Sequence, residues 1–534
     1  MTSRDDPAAY DLAIVGSGFS GSLLAMIARR LGLSVVLIEK GRHPRVVIGE
    51  SSTPLTNLLL EELSDRYDLP SVRPLAKWGS WQREYPEIAC GLKRGFTFYH
   101  HDLDQNENCH PERCEGFASP LTDRTRQLLV AASPHDEISD THWYRADFDH
   151  FLVREAQKLG VDYFDETALT GFDESDREVN LRGTRHGRDL RISAKFVVDA
   201  SGPRGFLHRA LGLRELELPG LPPSQALYCH FEGVGRIEDL YSAEGQSPPY
   251  PVDDAAVHHV FDGGWIWVLR FNNGITSAGV AATGEFANEY SFEDGAAAWE
   301  RILERIPLLE SQFASARPIR PFTRISHLGF RSGQIAGRCW ALLPSAAGFV
   351  DPLLSTGFPL TLLGVTRLAE ILERDWNSPR LTSSLTDYAA QTDADLLATA
   401  HLIGALYANM NNFPVFVALS LLYFAAVSYS EAARRLGKPD LASSFLLREH
   451  LDFGPACSSL LERARQPLSE EESHALSEEI LKAIEPFNVA GLGDPRRRNW
   501  YPVDADDLLR SAGKLDATQD EIMTLLQRCG FQLR

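Results

Sequence analysis

Apolar and polar positions alternate between two rhythms along the chain. Leu12 to Val15 is a short, wholly apolar run, the signature of a strand buried on both faces. It ends in a glycine-rich turn, Gly16-Ser17-Gly18-Phe19-Ser20-Gly21. A helical spacing follows (Leu23, Leu24, Met26, Ile27, Leu31), and then a second strand from Ser34 to Ile38 that ends in Glu39. Further on, Ile88 to Tyr99 reads as a strand carrying Lys93 and Arg94, and Phe148 to Leu159 as a helix. Val161 to Phe164, Glu178 to Arg182 and Leu190 to Ser193 read as short strands of a small sheet. Lys195 to Gly202 is another buried strand, ending in Asp199-Ala200-Ser201-Gly202. Residues 225–283 are strand-rich and residues 287–313 helical. Cys339 to Leu360 passes from strand through loop to helix, and helical patterns dominate from 361 onward, broken by a polar loop at 488–502. This order predicts an α/β protein with α+β elements. A Rossmann-type dinucleotide-binding unit is interleaved with a second sheet and followed by a mostly helical C-terminal region. Residues 1–370 form the first module, with dinucleotide-binding segments at about 8–60, 140–215 and 335–370 and sheet segments at about 85–135 and 216–334. Residues 371–534 form the helical part.

Composition narrows the classes. The formal net charge is -20, from 73 acidic and 53 basic residues, which disfavours a nucleic-acid partner. The apolar run Val415 to Val427 is shorter than the about 20 residues a bilayer requires, so it predicts a buried helix and no membrane partner. Residues 1–9 are polar, without the apolar segment of a signal peptide, and the seven cysteines are odd in number and scattered. A reducing cytoplasm is the expected setting. Cys109, His110 and Cys114 lie close together, but the spacing is poor for zinc and no second ligand pair appears. A surface loop is expected there, with no metal.

The glycine-rich turn carries specific chemistry. Gly16 permits the tight turn, Gly18 allows backbone N–H groups to approach a pyrophosphate, and Gly21 lets the helix pack against the strand. The positive end of the helix then faces the phosphates. Glu39, 23 residues past Gly16, closes the second strand where a carboxylate accepts the ribose hydroxyls. The loop Lys40 to Pro54 contains Gly49-Glu50-Ser51 and leads into a helix with Pro54 in its first turn and Thr53 or Ser52 as cap.

Four stretches together resemble the flavin-dependent halogenases: GSGFSG (16–21), PRVVIGESSTP (44–54), GWIWV (264–268) and DPLLSTG (351–357). The resemblance covers about residues 10–370. It implies the fold of the para-hydroxybenzoate hydroxylase-type flavin monooxygenases and a cofactor, FAD, used as FADH2. Cofactor contacts are implied at Gly16, Gly18, Phe19, Ser20, Gly21, Glu39, Lys40, Gly49, Glu50, Ser51, Arg145, Asp199, Gly202, Asp351 and Phe358. A chloride or bromide ion is implied at the Thr356 and Gly357 amides, and Trp265 and Trp267 on the substrate side. The family halogenates through hypohalous acid and a lysine in a strand after the Gly-Glu-Ser loop. Its phenol-type members have K-x-G-x-x-F there, and Lys93 to Phe98 fits that pattern. Lys77, in AKWGSW, is the competing candidate without a strand pattern around it. Lys93 acts either as a chloramine or as a hydrogen-bond donor to the acid, its pKa lowered by burial and by positive neighbours such as Arg94.

Two departures bear on the substrate and the reaction. The tryptophan-specific branch carries a glutamate where this chain has Leu354, so the resemblance points to an electron-rich phenolic or polyketide-like substrate, as in the tetracycline halogenases. Leu269-Arg270 replaces the family's Ile-Pro after the tryptophans, which keeps an NAD(P)H-dependent FAD hydroxylase open as the alternative. A non-catalytic flavoprotein is a third reading. The halogenase reading also implies a separate flavin reductase as the source of FADH2 and a small aromatic substrate.

Overall fold

A computed structural model describes residues 8–103, 120–175, 178–240 and 247–531. Cys109, His110 and Cys114 lie outside them. Among the described residues no group of His, Cys, Asp and Glu is arranged to hold a metal ion.

The first strand, Ala8–Val15, sits inside a seven-stranded sheet, parallel to Val35–Ile38 on one side and to Arg188–Asp199 on the other. Leu12, Ala13 and Ile14 are fully buried, as strands covered on both faces by helices must be. Asp162–Phe164 extends the sheet beyond Val35–Ile38, while Val179–Arg185 and Thr167–Glu174 extend it antiparallel on the far side. The expected separation between Leu190–Ser193 and Lys195–Gly202 is absent. One strand of 12 residues, Arg188–Asp199, serves both roles. Its first half pairs with Val179–Arg185, and its second half pairs with Trp340–Leu342 along the same edge.

The second sheet has nine strands among the described residues and is mainly antiparallel, with Gly264–Arg270 near its middle. Its last strand, Trp500–Tyr501, comes from the C-terminal region and pairs in parallel with Gln127–Ala131. The expected strand Ile88 to Tyr99 is also two elements. Cys90–Lys93 forms a separate ribbon with Asp140–Trp143, and Gly95–His100 joins the nine-stranded sheet. Arg94 is the break. Its N–H donates to the Asp254 carbonyl at 2.7 Å and its carbonyl accepts from Ala132 N at 2.7 Å, so its backbone leaves one sheet and enters the other fully hydrogen-bonded.

The helix Gly357–Asp375 runs across position 370, and the helices after it share one continuous core with the first strand, from Leu12 to Leu526. Phe413–Arg435 has 23 residues, longer than the apolar run inside it suggests, and is long and apolar enough to cross a membrane. Yet 83% of its most apolar window is buried within the protein, which makes it a core helix.

The close approach at the first turn is testable. A Cβ at Gly21 would overlap the Gly16 carbonyl oxygen, and one at Gly16, where φ is +103°, would lie 2.5 Å from the Ala200 carbonyl oxygen. A Cβ at Gly18 meets nothing nearer than 3.5 Å. Chemical denaturation should therefore find Gly16→Ala and Gly21→Ala destabilised by about 1–3 kcal/mol or more, with Gly18→Ala within about 0.5 kcal/mol of the parent.

Candidate active site

The glycine turn opens on a cleft of about 580 Å³ lined by Gly16, Glu39, Lys40, Arg45, Ala200 and Ser201, and floored by Thr167 to Leu169. Glu39 ends its strand inside this cleft. One of its oxygens accepts from Ser17 N at 3.0 Å and Ser17 Oγ at 2.9 Å, and the other from Gly41 N at 2.9 Å. Burial pushes its carboxyl up, but Arg45 and these donors outweigh that and hold it below the usual value. Lys40 is exposed at the rim. Gly18 caps the helix Phe19–Arg30 without any side-chain cap, so its first turn presents N–H groups to the space in front of it. Two cations face that space: a Cβ at Gly18 would lie 3.5 Å from Arg145 Nη2 and 3.8 Å from Arg45 Nη2. Ser20 and Gly21 are buried within the helix's first turn.

Arg145 joins this cleft to the next cavity. Its guanidinium donates twice to Asp149, both at 2.8 Å, and to the Gly49 carbonyl at 2.8 Å, and lies 5.1 Å from the Phe19 ring centroid. Phe19 meets Phe358 edge-on at 5.0 Å, and Phe358 stacks on Trp143 at 4.3 Å. The Asp199 carboxylate is spent inside the protein, on Ser201 N, Ser201 Oγ and Leu207 N, while Gly202 turns the chain at φ +86° without lining the cleft.

The second cavity, about 100 Å³, lies between the Gly49-Glu50-Ser51 loop and the tryptophan strand. Trp265, Trp267, His258, Asp351, Gly357 and Phe358 also line it. Trp265 and Trp267 are 5.7 Å apart, and the His258 ring is 5.2 Å from Trp265. Glu50 is buried against His230 at 2.8 Å. Asp351 accepts from Tyr407 Oη and Leu353 N, each at 2.9 Å, and burial pushes its carboxyl up to about 6. Leu354 and Ser355 adopt left-handed backbone (φ 61° and 55°), turning the chain sharply into the helix that begins at Gly357. Thr356 is buried behind the wall, whereas a Cβ on Gly357 would meet nothing within 4 Å. Arg270, at the position that departs from the Ile-Pro pattern, pairs with Asp253 at 3.1 Å and donates to the Val234 carbonyl at 3.0 Å.

Lys93 lies beside this cavity and is 0% exposed. Its Nζ donates to Ser51 Oγ at 2.9 Å and to the Ser52 carbonyl at 2.5 Å, and sits 3.8 Å from the Phe96 ring centroid. Burial pushes its ammonium well down, with Asp140 acting in the opposite sense. The expected contribution of Arg94 is overturned: its guanidinium points away to Asp136 at 2.8 Å and to the Pro134 carbonyl at 2.8 Å. His142 and His258 are pushed down to about 3, by burial first and then by the charge of Lys93, and are neutral. Lys77 precedes a short helix, part-exposed and 3.7 Å from Glu61.

Across the ribbon from Lys93, Asp140 faces a third cavity of about 180 Å³ between the nine-stranded sheet and the C-terminal helices. Its walls are mainly apolar, with Val130, Ile138, Val489 and Leu525 among them, and one edge is polar, formed by Asn57, Lys77, Asp140, Glu431 and Arg435. Arg45, Asn57, Asp140 and His258 were not legible as site residues. Arg45 stands in the loop after the second strand, where no periodic pattern marks a residue that will reach back to Glu39. Asp140 acquires its meaning only from its register opposite Lys93.

Residues 11–412 match the family profile described as tryptophan halogenase. Monodechloroaminopyrrolnitrin halogenase PrnC of Pseudomonas fluorescens is 30% identical over 396 residues, 73% of this chain and 66% of that protein. Tetracycline 7-halogenase of Kitasatospora aureofaciens is 30% identical over 369 residues, 66% of this chain and 61% of that protein. The match thus spans less than two thirds of the length of either relative. The crystal structure of halogenase PltM in complex with phloroglucinol and FAD has the same fold, with a TM-score of 0.80 at 24% identity over 92% of this chain and 99% of that one. With a profile match from its first strand into the C-terminal helices, the chain belongs to the tryptophan halogenase family.

Proposed function

We propose that this chain is a flavin-dependent halogenase that places chlorine or bromine on an electron-rich, phenolic aromatic ring. The observation that carries the reading is the position of Lys93, fully buried, hydrogen-bonded to Ser51, which lines the second cavity, and paired in register with Asp140, which lines the third.

The first cleft fits FAD. Gly16 and Gly21 leave no room for a side chain, Gly18 stands at ordinary contact distance from Arg145, Arg45 and Asp149, and Glu39 is held ionised where ribose hydroxyls would donate to it. Arg145 and Phe19 carry the path to Gly49, Glu50 and Ser51, where the flavin ring would lie against Phe358 and the two tryptophans. Asp199 and Gly202 act through the turn they build rather than by direct contact. When bound, reduced FAD supplies with dioxygen the oxidising equivalent that turns a halide into hypohalous acid. Gly357, open to the second cavity at an uncapped helix start, suits the halide, with Thr356 behind it. Lys93 then meets the acid, and its lowered pKa suits either a free amine or a polarising donor. Residues 371–534 would cover the substrate cavity of the 1–370 module, and a small aromatic compound would enter there. A separate flavin reductase would supply FADH2, and the free thiols of Cys90, Cys229, Cys339, Cys457 and Cys529 agree with a reducing, cytoplasmic setting. The hydroxylase alternative loses its main support, since Arg270 has a local structural task at the strand end.

Three measurements test the reading. Gly18→Val, whose backbone at φ -67° accepts a side chain, should fold normally and lose FAD affinity by at least about tenfold; full affinity would remove the cofactor assignment. Anomalous scattering from a bromide soak of FAD-loaded crystals should give a peak beside Gly357, and ordered FAD without such a peak would count against the halide site. Supplied with a reductase, Lys93→Ala should lose halogenated product by about 10²-fold or more by mass spectrometry while FADH2 oxidation continues, with Lys77→Ala mild. Near-normal product from Lys93→Ala, or unaided NADPH consumption by the wild type, would favour the hydroxylase.

A further inference from the structure

Asp140 has the setting of a working base. It opens the strand Asp140–Trp143, is 5% exposed and lines the third cavity. Its Oδ1 accepts from Asn57 Nδ2 at 2.7 Å, whereas Oδ2 is buried without a hydrogen-bond partner. Asp199, by contrast, uses both of its oxygens, and an unpaired buried acceptor costs about 1–3 kcal/mol. Lys93 is its register partner but directs its own hydrogen bonds to Ser51 and Ser52. Of the other cations on that edge, Arg435 is taken up by Glu431 at 2.7 Å and Glu61 at 3.2 Å, and Lys77 lies 3.7 Å from Glu61. One free carboxylate oxygen therefore stands at the polar edge of an apolar cavity, on the residue directly across the ribbon from the lysine.

We propose that Asp140 is the catalytic base of the reaction, accepting through Oδ2 the hydroxyl proton of a phenolic ring seated in the third cavity. This rests on the halogenase reading above. The phenol O–H bond breaks, its proton passes to Asp140, and the electron pair left on oxygen activates the ring. The ring carbon attacks the halogen of hypohalous acid, the halogen–oxygen bond breaks, and the departing hydroxide takes a proton from the Lys93 ammonium to become water. The ring C–H proton then passes to the Lys93 amine, and Asp140 returns its proton to the ring oxygen. One ring hydrogen is replaced by halogen, hypohalous acid becomes water, and both side chains regain their starting states. The burial that pushes the Asp140 carboxyl up, opposed by Lys93, Asn57 and Arg435 and reinforced by Glu431, makes it a stronger base than an exposed aspartate.

The test uses FAD-loaded wild type and Asp140→Asn with 4-nitrophenol as a probe whose phenolate has its own absorbance band, read without turnover. The wild type should bind the probe as phenolate below the pH at which the free probe ionises, and the asparagine variant should bind it as the neutral phenol. In turnover with a reductase, Asp140→Asn should lower kcat on a phenolic substrate about 10²- to 10⁴-fold near neutral pH. The loss should shrink as pH rises and the substrate ionises in solution, while hypohalous acid released to a chemical trap is unchanged. The same ionisation state in both proteins, no binding of the probe, or a pH-independent loss would overturn the assignment. Should the variant not fold, the wild-type titration decides alone, and a probe bound as neutral phenol throughout overturns it. Absence of halogenation by the wild type, with probe ionisation intact, would instead refute the halogenase reading.

Discussion

The architecture turns on keeping a lysine out of water. An ammonium removed from solvent costs several kcal/mol unless the protein replaces its hydration. Lys93 receives that replacement from the Ser51 hydroxyl, the Ser52 carbonyl and the face of Phe96. Those partners come from separate stretches, so they coincide only because the chain breaks at Arg94. One strand before the break is paired with Asp140–Trp143, and one strand after it is paired into the nine-stranded sheet. A continuous strand would have kept Lys93 and Phe96 in a single sheet, away from the Gly-Glu-Ser loop. The site is thus assembled by an irregularity, and the backbone hydrogen bonds of Arg94 are what make the irregularity affordable.

Arg145 performs the matching task beside the glycine-rich cleft. It ties Gly49 to the first turn of its own helix through Asp149, and reaches the space before Gly18. The guanidinium has five donors in a rigid plane, so these ties still leave it facing the glycine turn, where a lysine's single ammonium would serve fewer partners. The glycine-rich turn and the Gly-Glu-Ser loop are therefore tied together, and Ser51 brings Lys93 into the same frame.

The parts legible in the sequence were those encoded locally. The glycine spacing, the acid after the second strand, the proline-started helix after Thr53 and the paired tryptophans each depend on a few consecutive residues, and each stands where its pattern implies. Thr53 accepts from Thr56 N as a cap does, while Ser52 instead bonds the Thr141 carbonyl. What was not legible depends on partners far along the chain. Leu190–Ser193 and Lys195–Gly202 look separate because Lys195 is polar, yet pairing with Ala8–Val15 carries the strand through. The break at Arg94 is invisible because Asp254 and Ala132, which hold it, are remote. Asp140 reads as an ordinary polar residue at the start of a strand, and Arg45 as an ordinary loop cation; burial and register give them their chemistry.

The C-terminal region adds the remaining constraint. Val489, Leu492, Leu508 and Leu525 supply much of one wall of the third cavity, and Trp500–Tyr501 locks that wall to the strand Gln127–Ala131. The opposite edge, with Asn57 and Asp140, belongs to the segment that also frames Lys93. The apolar wall is therefore shared between residues after 480 and residues 130–138, whereas the polar edge draws Asn57, Lys77 and Asp140 from before 145 and Glu431 and Arg435 from the helix Phe413–Arg435. Side-chain changes in the C-terminal wall would alter the volume of the cavity and leave the Lys93 hydrogen bonds and the glycine cleft in place. Under the proposed function, that division would separate what the cavity accepts from the chemistry at its edge.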